Sequence, residues 1–233
     1  MNLPNAITVG RIAVTPLVAW LPFAPSWPLR LLGFALYIAA AVTDYYDGML
    51  ARSRGLVTDL GRLLDPLADK LLLLGTLLPM YLLQHPPGDL VAQVWRPRDA
   101  AGQFPFLLPW GGDAYLPWWV VAVVLGRELF MTLFRQAAAR RGVIIAAIGP
   151  AKWKTGFQST WVGAAFLWFS AATAAERFGW TSPWWRAYAH FNGLVGVLAM
   201  IAAVFLTLYS LALYMRRYGG LFFKPAEKPH AGR

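Results

Sequence analysis

The 233-residue chain has no cysteine, which excludes disulfides, thiolate zinc sites, iron–sulfur ligation and a cysteine nucleophile. Charge is scarce too: Asp, Glu, Lys and Arg make up 14% of the residues, where a soluble domain carries about a quarter. Negative charge is the scarcest, with 11 acidic residues against 21 basic ones. The three histidines, His85, His190 and His230, are scattered and fall in no motif. No Lys or Arg occurs in the first ten residues, so the opening stretch is not expected to act as a signal peptide. What fills the space is apolar: 58% hydrophobic residues, mean hydropathy +0.48 and 12 Trp, with 21 Gly and 17 Pro. The net charge of +10 comes from basic residues set between apolar runs rather than on one soluble face. It therefore points to an anionic membrane surface or a phosphorylated substrate, and away from nucleic acid.

A helix needs about 20 mostly apolar residues to span a bilayer, and six stretches qualify, at roughly 5–24, 29–50, 62–83, 116–138, 153–175 and 187–215. The expected fold is all-α and integral to the membrane, with six transmembrane helices in one catalytic domain over 1–223. Pro22, Pro25 and Pro28 close the first span, Pro86 and Pro87 follow the third, and Pro183 precedes the sixth. With the N-terminus inside, 16 of the 21 basic residues fall on the inner side, leaving Arg30, Arg96, Arg98, Arg177 and Arg186 outside. Trp27, Trp110, Trp118, Trp119, Trp180, Trp184 and Trp185 gather at the outer ends, as an aromatic belt does. This predicts a multi-pass protein of the inner (cytoplasmic) membrane, with both termini cytoplasmic. Residues 84–113 read as a long outer loop, disordered or variable, and 224–233 as a flexible basic tail on the inner surface.

Five of the 11 acidic residues lie between Asp44 and Asp69. Asp44 and Asp47 are three apart, and Asp65 and Asp69 four apart, so each pair shares one helix face. Each taken alone could be solvated or paired with Arg52, Arg54 or Arg62. Four together are another matter, since one Asp at bilayer depth costs about 2.5–3.5 kcal/mol and neighbouring carboxylates repel. Hard divalent cations with oxygen ligands resolve that cost, and magnesium suits a site that also receives phosphates. Two such ions polarise a phosphoryl group and stabilise the leaving oxygen.

The stretch reads DYYDGMLARSRGLVTDLGRLLDPLAD: Asp44, Asp47, Gly48, Ala51, Arg52, Gly61, Asp65 and Asp69 at set spacings. It resembles the signature of the CDP-alcohol phosphatidyltransferase family at all eight fixed positions. A chance match is of order one in 10^10 per start position, taking each residue at roughly one in twenty. Gly48 and Ala51, one turn apart, leave room for a nucleotide against the helix backbone. Arg52 lies about 12 Å along the axis from Asp44, placed for phosphate rather than metal. Gly61 opens the next helix where a larger side chain would crowd the same pocket. The resemblance implies transfer of a phosphatidyl group from CDP-diacylglycerol to an alcohol with release of CMP. It also implies six transmembrane helices, a homodimer, a cytoplasmic active site and two divalent ions, Mg2+ with Mn2+ as the other candidate. On this chain Asp44, Asp47, Asp65 and Asp69 would bind metal, and Asp69 would also deprotonate the attacking hydroxyl.

Three further segments resemble the branch of that family whose acceptor is glycerol 3-phosphate. The opening LPNAITVGR places Asn5 and Thr8 on one helix face, where they could bond cytosine or ribose or simply belong to an interfacial helix. Related cardiolipin synthases share this opening. The fourth span carries Gly126-Arg127-Glu128-Leu129, with Arg135 two turns on. A charge such as Arg127 within a lipid-embedded helix is functional by default, the other reading being a pair with Glu128 or with another helix. Pro150-Ala151-Lys152-Trp153-Lys154-Thr155 follows; the branch has Gly where this chain has Ala151. Lys152 and Lys154 are either ordinary positive-inside residues or, with Arg127, Arg135 and Thr155, a cradle for the acceptor's phosphate. The implied reaction makes phosphatidylglycerophosphate. The alternatives are another family acceptor, as in a cardiolipin synthase, or a non-catalytic membrane protein that binds cations.

Overall fold

A computed structural model of the chain describes residues 3–54, 59–97, 102–146 and 149–222. The expected basic tail, 224–233, lies outside the described residues. Seven helices make up nearly all of it: α1 (Leu3–Trp20), α2 (Trp27–Arg54), α3 (Asp59–Gln84), α4 (Leu90–Trp95), α5 (Trp118–Ala139), α6 (Gly149–Phe178) and α7 (Pro183–Tyr218). Two strands, β1 (Phe106–Leu107) and β2 (Asp113–Ala114), pair antiparallel between α4 and α5. Six helices are thus long, and among the described residues three contain stretches long and apolar enough to cross a membrane: Asn5–Phe23, Leu64–Gln84 and Pro183–Tyr218. Charged residues also lie on the long helices α2, α5 and α6, including Asp44 and Asp47, Arg127 and Glu128, and Lys152 and Lys154.

Local chemistry sets the boundaries. After α1 the chain makes a 3-10 turn at Leu21–Phe23, where the prolines withhold the donors that a continuing helix needs. Ser182 caps α7 by accepting from Trp185 N at 3.2 Å, and Pro183 takes the first helical position, where a missing N–H costs nothing.

Neighbouring helices close a ring in the order α1–α2–α6–α7–α5–α3, with α3 also touching α6 across the middle. Its two ends differ. At one, Leu77, Met80 and Leu83 of α3 pack with Val120 and Val124 of α5 and Trp161, Phe166 and Phe169 of α6. Buried Arg30 of α2 ties that end together, donating to Ala24 O at 2.8 Å and to Thr173 Oγ1 of α6, with its guanidinium 4.4 Å over the Phe104 ring. At the other end the first turns of α3 are open, with Asp65, Pro66, Leu67 and Asp69 exposed.

The segment expected to be a long, disordered or variable connection is ordered over its described residues. Its described residues, 84–97 and 102–113, form the short helix α4 and a hairpin strapped to the packed end. Phe104 N donates to Leu83 O at 2.8 Å, Leu116 N to Gln84 O at 2.7 Å and Trp168 Nε1 to Pro105 O at 2.9 Å. Buried His85 shares in this: Nδ1 faces Leu82 O at 3.0 Å while Gln103 Nε2 donates to its Nε2 at 2.9 Å. Strand β1 lies directly on α7, where a Cβ on Gly193 would stand 2.0 Å from Leu107 O and one on Gly196 2.3 Å from the Phe106 ring. Proline and polar residues suggest a loose connection, but buried Phe104 and Phe106 anchor it to the core.

Candidate active site

The open end collects the polar side chains that the apolar helices could not otherwise tolerate. On α1, Asn5, Thr8, Arg11 and Thr15 recur every three to four residues, forming one buried polar stripe. The stripe faces the signature. Thr8 Oγ1 donates to Asp65 Oδ1 at 2.9 Å. Arg11 Nη1 donates to Asp69 Oδ1 at 3.0 Å and also to Asp44 Oδ1. One guanidinium therefore joins carboxylates from α2 and α3 to α1, offsetting their mutual repulsion. The carboxylate side chains stay accessible, 47% exposed at Asp44 and 59% at Asp69, while that of Arg11 is buried.

Asp44 of α2 thus shares one open surface with Asp65 and Asp69 of α3. Asp47, Gly48, Ala51 and Arg52 fall on the last two turns of α2, their side chains outside the described residues. Gly61 is buried on the first turn of α3, which begins two residues earlier, at Asp59. Among the described residues no three His, Asp or Glu side chains already converge as a metal cage. The donor set nonetheless fits hard divalent cations: accessible carboxylate oxygens on two adjacent helices, in a chain without a competing thiolate.

A second cluster joins α5, α6 and α7. Arg127 Nη1 donates to Glu128 Oε1 at 2.7 Å, and Lys154 Nζ donates to the same oxygen. Arg127 also donates through Nη2 to Ser210 Oγ of α7 at 3.1 Å. Both cations are buried, so the pairing with Glu128 relieves the desolvation that two unpaired charges would suffer. Arg135, two turns along α5, is engaged elsewhere: its Nη2 donates to Tyr214 OH at 3.3 Å and its guanidinium lies over that ring. Thr155 is exposed, and the Lys152 side chain lies outside the described residues.

Helices α2 and α6 run antiparallel, with Arg30 against Thr173 and Tyr37 bonded to Ser159 O at 3.1 Å. Carried on for two turns, that register brings Lys154 to about the level of Asp44. The aspartates and the basic cluster therefore occupy the same end of the ring.

The whole-chain comparison agrees with the local signature. Residues 1–209 match the family described as CDP-alcohol phosphatidyltransferase. The chain belongs to that family. A protein of Arabidopsis thaliana named CDP-diacylglycerol–glycerol-3-phosphate 3-phosphatidyltransferase 1, chloroplastic/mitochondrial, is 32% identical over 96% of this chain and 65% of its own length. A probable phosphatidylglycerophosphate synthase of Mycobacterium tuberculosis is 33% identical over 70% of this chain and 64% of its own. A CDP-diacylglycerol–glycerol-3-phosphate 3-phosphatidyltransferase of Bacillus subtilis is 34% identical over 71% of this chain and 77% of its own. The chain spans just under two thirds of the first two relatives. Within this family fold, Arg11 and Glu128 are the residues that sequence reasoning passed over. Arg11 counted there only toward orientation, although a charge three residues after Thr8, in an apolar stretch, already marked the polar face of α1. Glu128 appeared only as a neighbour of Arg127, and its second partner, Lys154, is 26 residues away.

Proposed function

We propose that the protein transfers the phosphatidyl group of CDP-diacylglycerol to glycerol 3-phosphate, giving phosphatidylglycerophosphate and CMP. The observation that carries this reading is the meeting of Asp44, Asp65 and Asp69 on one open surface at the end of the ring where Arg127 and Lys154 lie. The names of the relatives support glycerol 3-phosphate as acceptor. In this reading Asp44, Asp47, Asp65 and Asp69 hold two divalent cations, Mg2+ or Mn2+. When bound, the ions neutralise charge on the pyrophosphate and polarise the phosphorus that is attacked. Arg52 steadies the pyrophosphate, and Asn5 with Thr8 lines the nucleotide side of the site alongside Gly48, Ala51 and Gly61.

Asp69 takes the proton from the acceptor hydroxyl as its oxygen bonds to phosphorus, and CMP departs with the electron pair of the broken bond. Arg127, Lys152 and Lys154 hold the acceptor's phosphate, with Arg135 and Thr155 at the margin. Arg127 and Lys154 share Glu128 with each other, so an arriving phosphate meets a partly neutralised pair. We further propose that all six long helices cross the inner membrane, with both termini and the active site cytoplasmic, and that the protein works as a homodimer.

The test is an acceptor panel with purified protein and labelled CDP-diacylglycerol, with and without magnesium. CMP release that requires both glycerol 3-phosphate and magnesium is the expected result. Release driven by phosphatidylglycerol would move the assignment to a cardiolipin synthase. No release with any acceptor, alongside retained magnesium binding, would leave a cation-binding membrane protein.

A further inference from the structure

The segment between α3 and α5 takes no part in the site, yet its short helix α4 presents a strongly exposed apolar face. Asp89 fixes α4 by accepting from Val91 N at 3.0 Å and Ala92 N at 3.2 Å. Leu90 is 75% exposed, Val94 78% and Trp95 72%, with Val91 exposed beside them. At 100° per residue these four occupy about 140° of the helix circumference. Ala92 is buried on the other side, against the protein, and Gln93 is exposed off the apolar face.

Two observations say what covers this face. Helix α4 starts six residues beyond the end of α3, whose Leu64–Gln84 stretch is long and apolar enough to cross a membrane. It therefore sits at the level where α3 leaves the hydrocarbon. Leu90 and Val91 also border one groove with Pro117 and Trp118, which places the apolar face beside the start of α5, where Trp118 and Trp119 are exposed. Trp at that depth is the mark of a membrane–water boundary.

We propose that α4 is an interfacial membrane helix: Leu90, Val91, Val94 and Trp95 insert among the lipids of the leaflet at the packed end and hold the loop flat against the bilayer. Six residues are far too few to span, but one apolar face with a Trp suits a helix lying in the interface plane. The inference rests on α3 crossing the membrane and is independent of the transferase chemistry at the opposite end.

The test uses the absence of native cysteine. Val94→Cys, Gln93→Cys and Leu78→Cys are each made in the full chain, labelled with a nitroxide and reconstituted into vesicles of phosphatidylethanolamine and phosphatidylglycerol. Power saturation with oxygen and with a water-soluble nickel chelate then reads depth. Leu78, exposed on α3, is the lipid-facing control. The expected result is that oxygen accessibility exceeds chelate accessibility several-fold at positions 78 and 94, with the order reversed at 93. Chelate accessibility at 94 equal to that at 93 would overturn the proposal by placing α4 in water. Loss of access to both reagents at 94 would overturn it as well, showing the face to be covered by protein, such as a second copy of the chain.

Discussion

At the scale of single residues, the site can be dissected because its carboxylates are contacted through hydrogen bonds that an amide also accepts. In Asp65→Asn the amide oxygen can still accept from Thr8, and in Asp69→Asn it can still accept from Arg11, so the packing survives while the charge is lost. Losing a metal ligand or the base removes several kcal/mol of transition-state stabilisation, and each 1.36 kcal/mol is tenfold in rate. We therefore expect at least about a thousandfold loss of kcat in either variant, with chelator abolishing wild-type turnover. Because the residues act as a unit, the double variant should be scarcely slower than either single one. Multiplicative losses, or turnover that persists in chelator, would show that the four aspartates do not work together. The basic cluster should behave differently. A charge-assisted bond to phosphate is worth about 1.5–3 kcal/mol and is made before the chemical step, so its loss appears in KM. Lys152→Ala and Lys154→Ala should raise KM for glycerol 3-phosphate by about 10- to 150-fold and leave KM for CDP-diacylglycerol unchanged. An unaltered KM for the acceptor in both variants would reduce these lysines to orientation signals.

At the scale of elements, the hairpin and α7 depend on each other. Strand β1 reaches α7 only because Gly193 and Gly196 leave its surface bare, and a methyl at 193 would stand 2.0 Å from Leu107 O. Relief requires the hairpin to move, and overpacking of this kind costs about 1–3 kcal/mol. Gly193→Ala should accordingly lower the melting temperature in detergent and expose the hairpin to protease. Kinetics of the protein that remains folded should stay close to wild type, because the site lies at the opposite end. An unchanged melting temperature would mean that the strap carries no stability.

At the scale of the whole molecule, the question is which way the ring sits. With 16 of 21 basic residues on one side, the end bearing the aspartates should face the cytoplasm. A single cysteine at Ser53 should be labelled by an impermeant reagent only from the cytoplasmic side, and one at Trp110 only from the other. Labelling of position 53 from the periplasmic side would invert the topology and remove the site from its proposed soluble substrate, glycerol 3-phosphate.

Several features were set by the order of residues alone. Apolar run length bounds each long helix to within a few residues, because a buried apolar run must pair its own backbone groups, which an unbroken helix does. The spacing of Asp44, Asp47, Asp65 and Asp69 defines the family signature, since helical periodicity turns sequence intervals of three and four into a shared face. What only the tertiary structure decided were the partnerships between distant segments. Arg11 meeting Asp44 and Asp69, Lys154 meeting Glu128, and Phe106 seated on Gly196 link residues between 26 and 90 positions apart. No local periodicity encodes such pairs. They arise because the ring order of the helices brings a few buried polar and aromatic side chains together, and a charge or a bare backbone surface inside an apolar assembly must find its complement there.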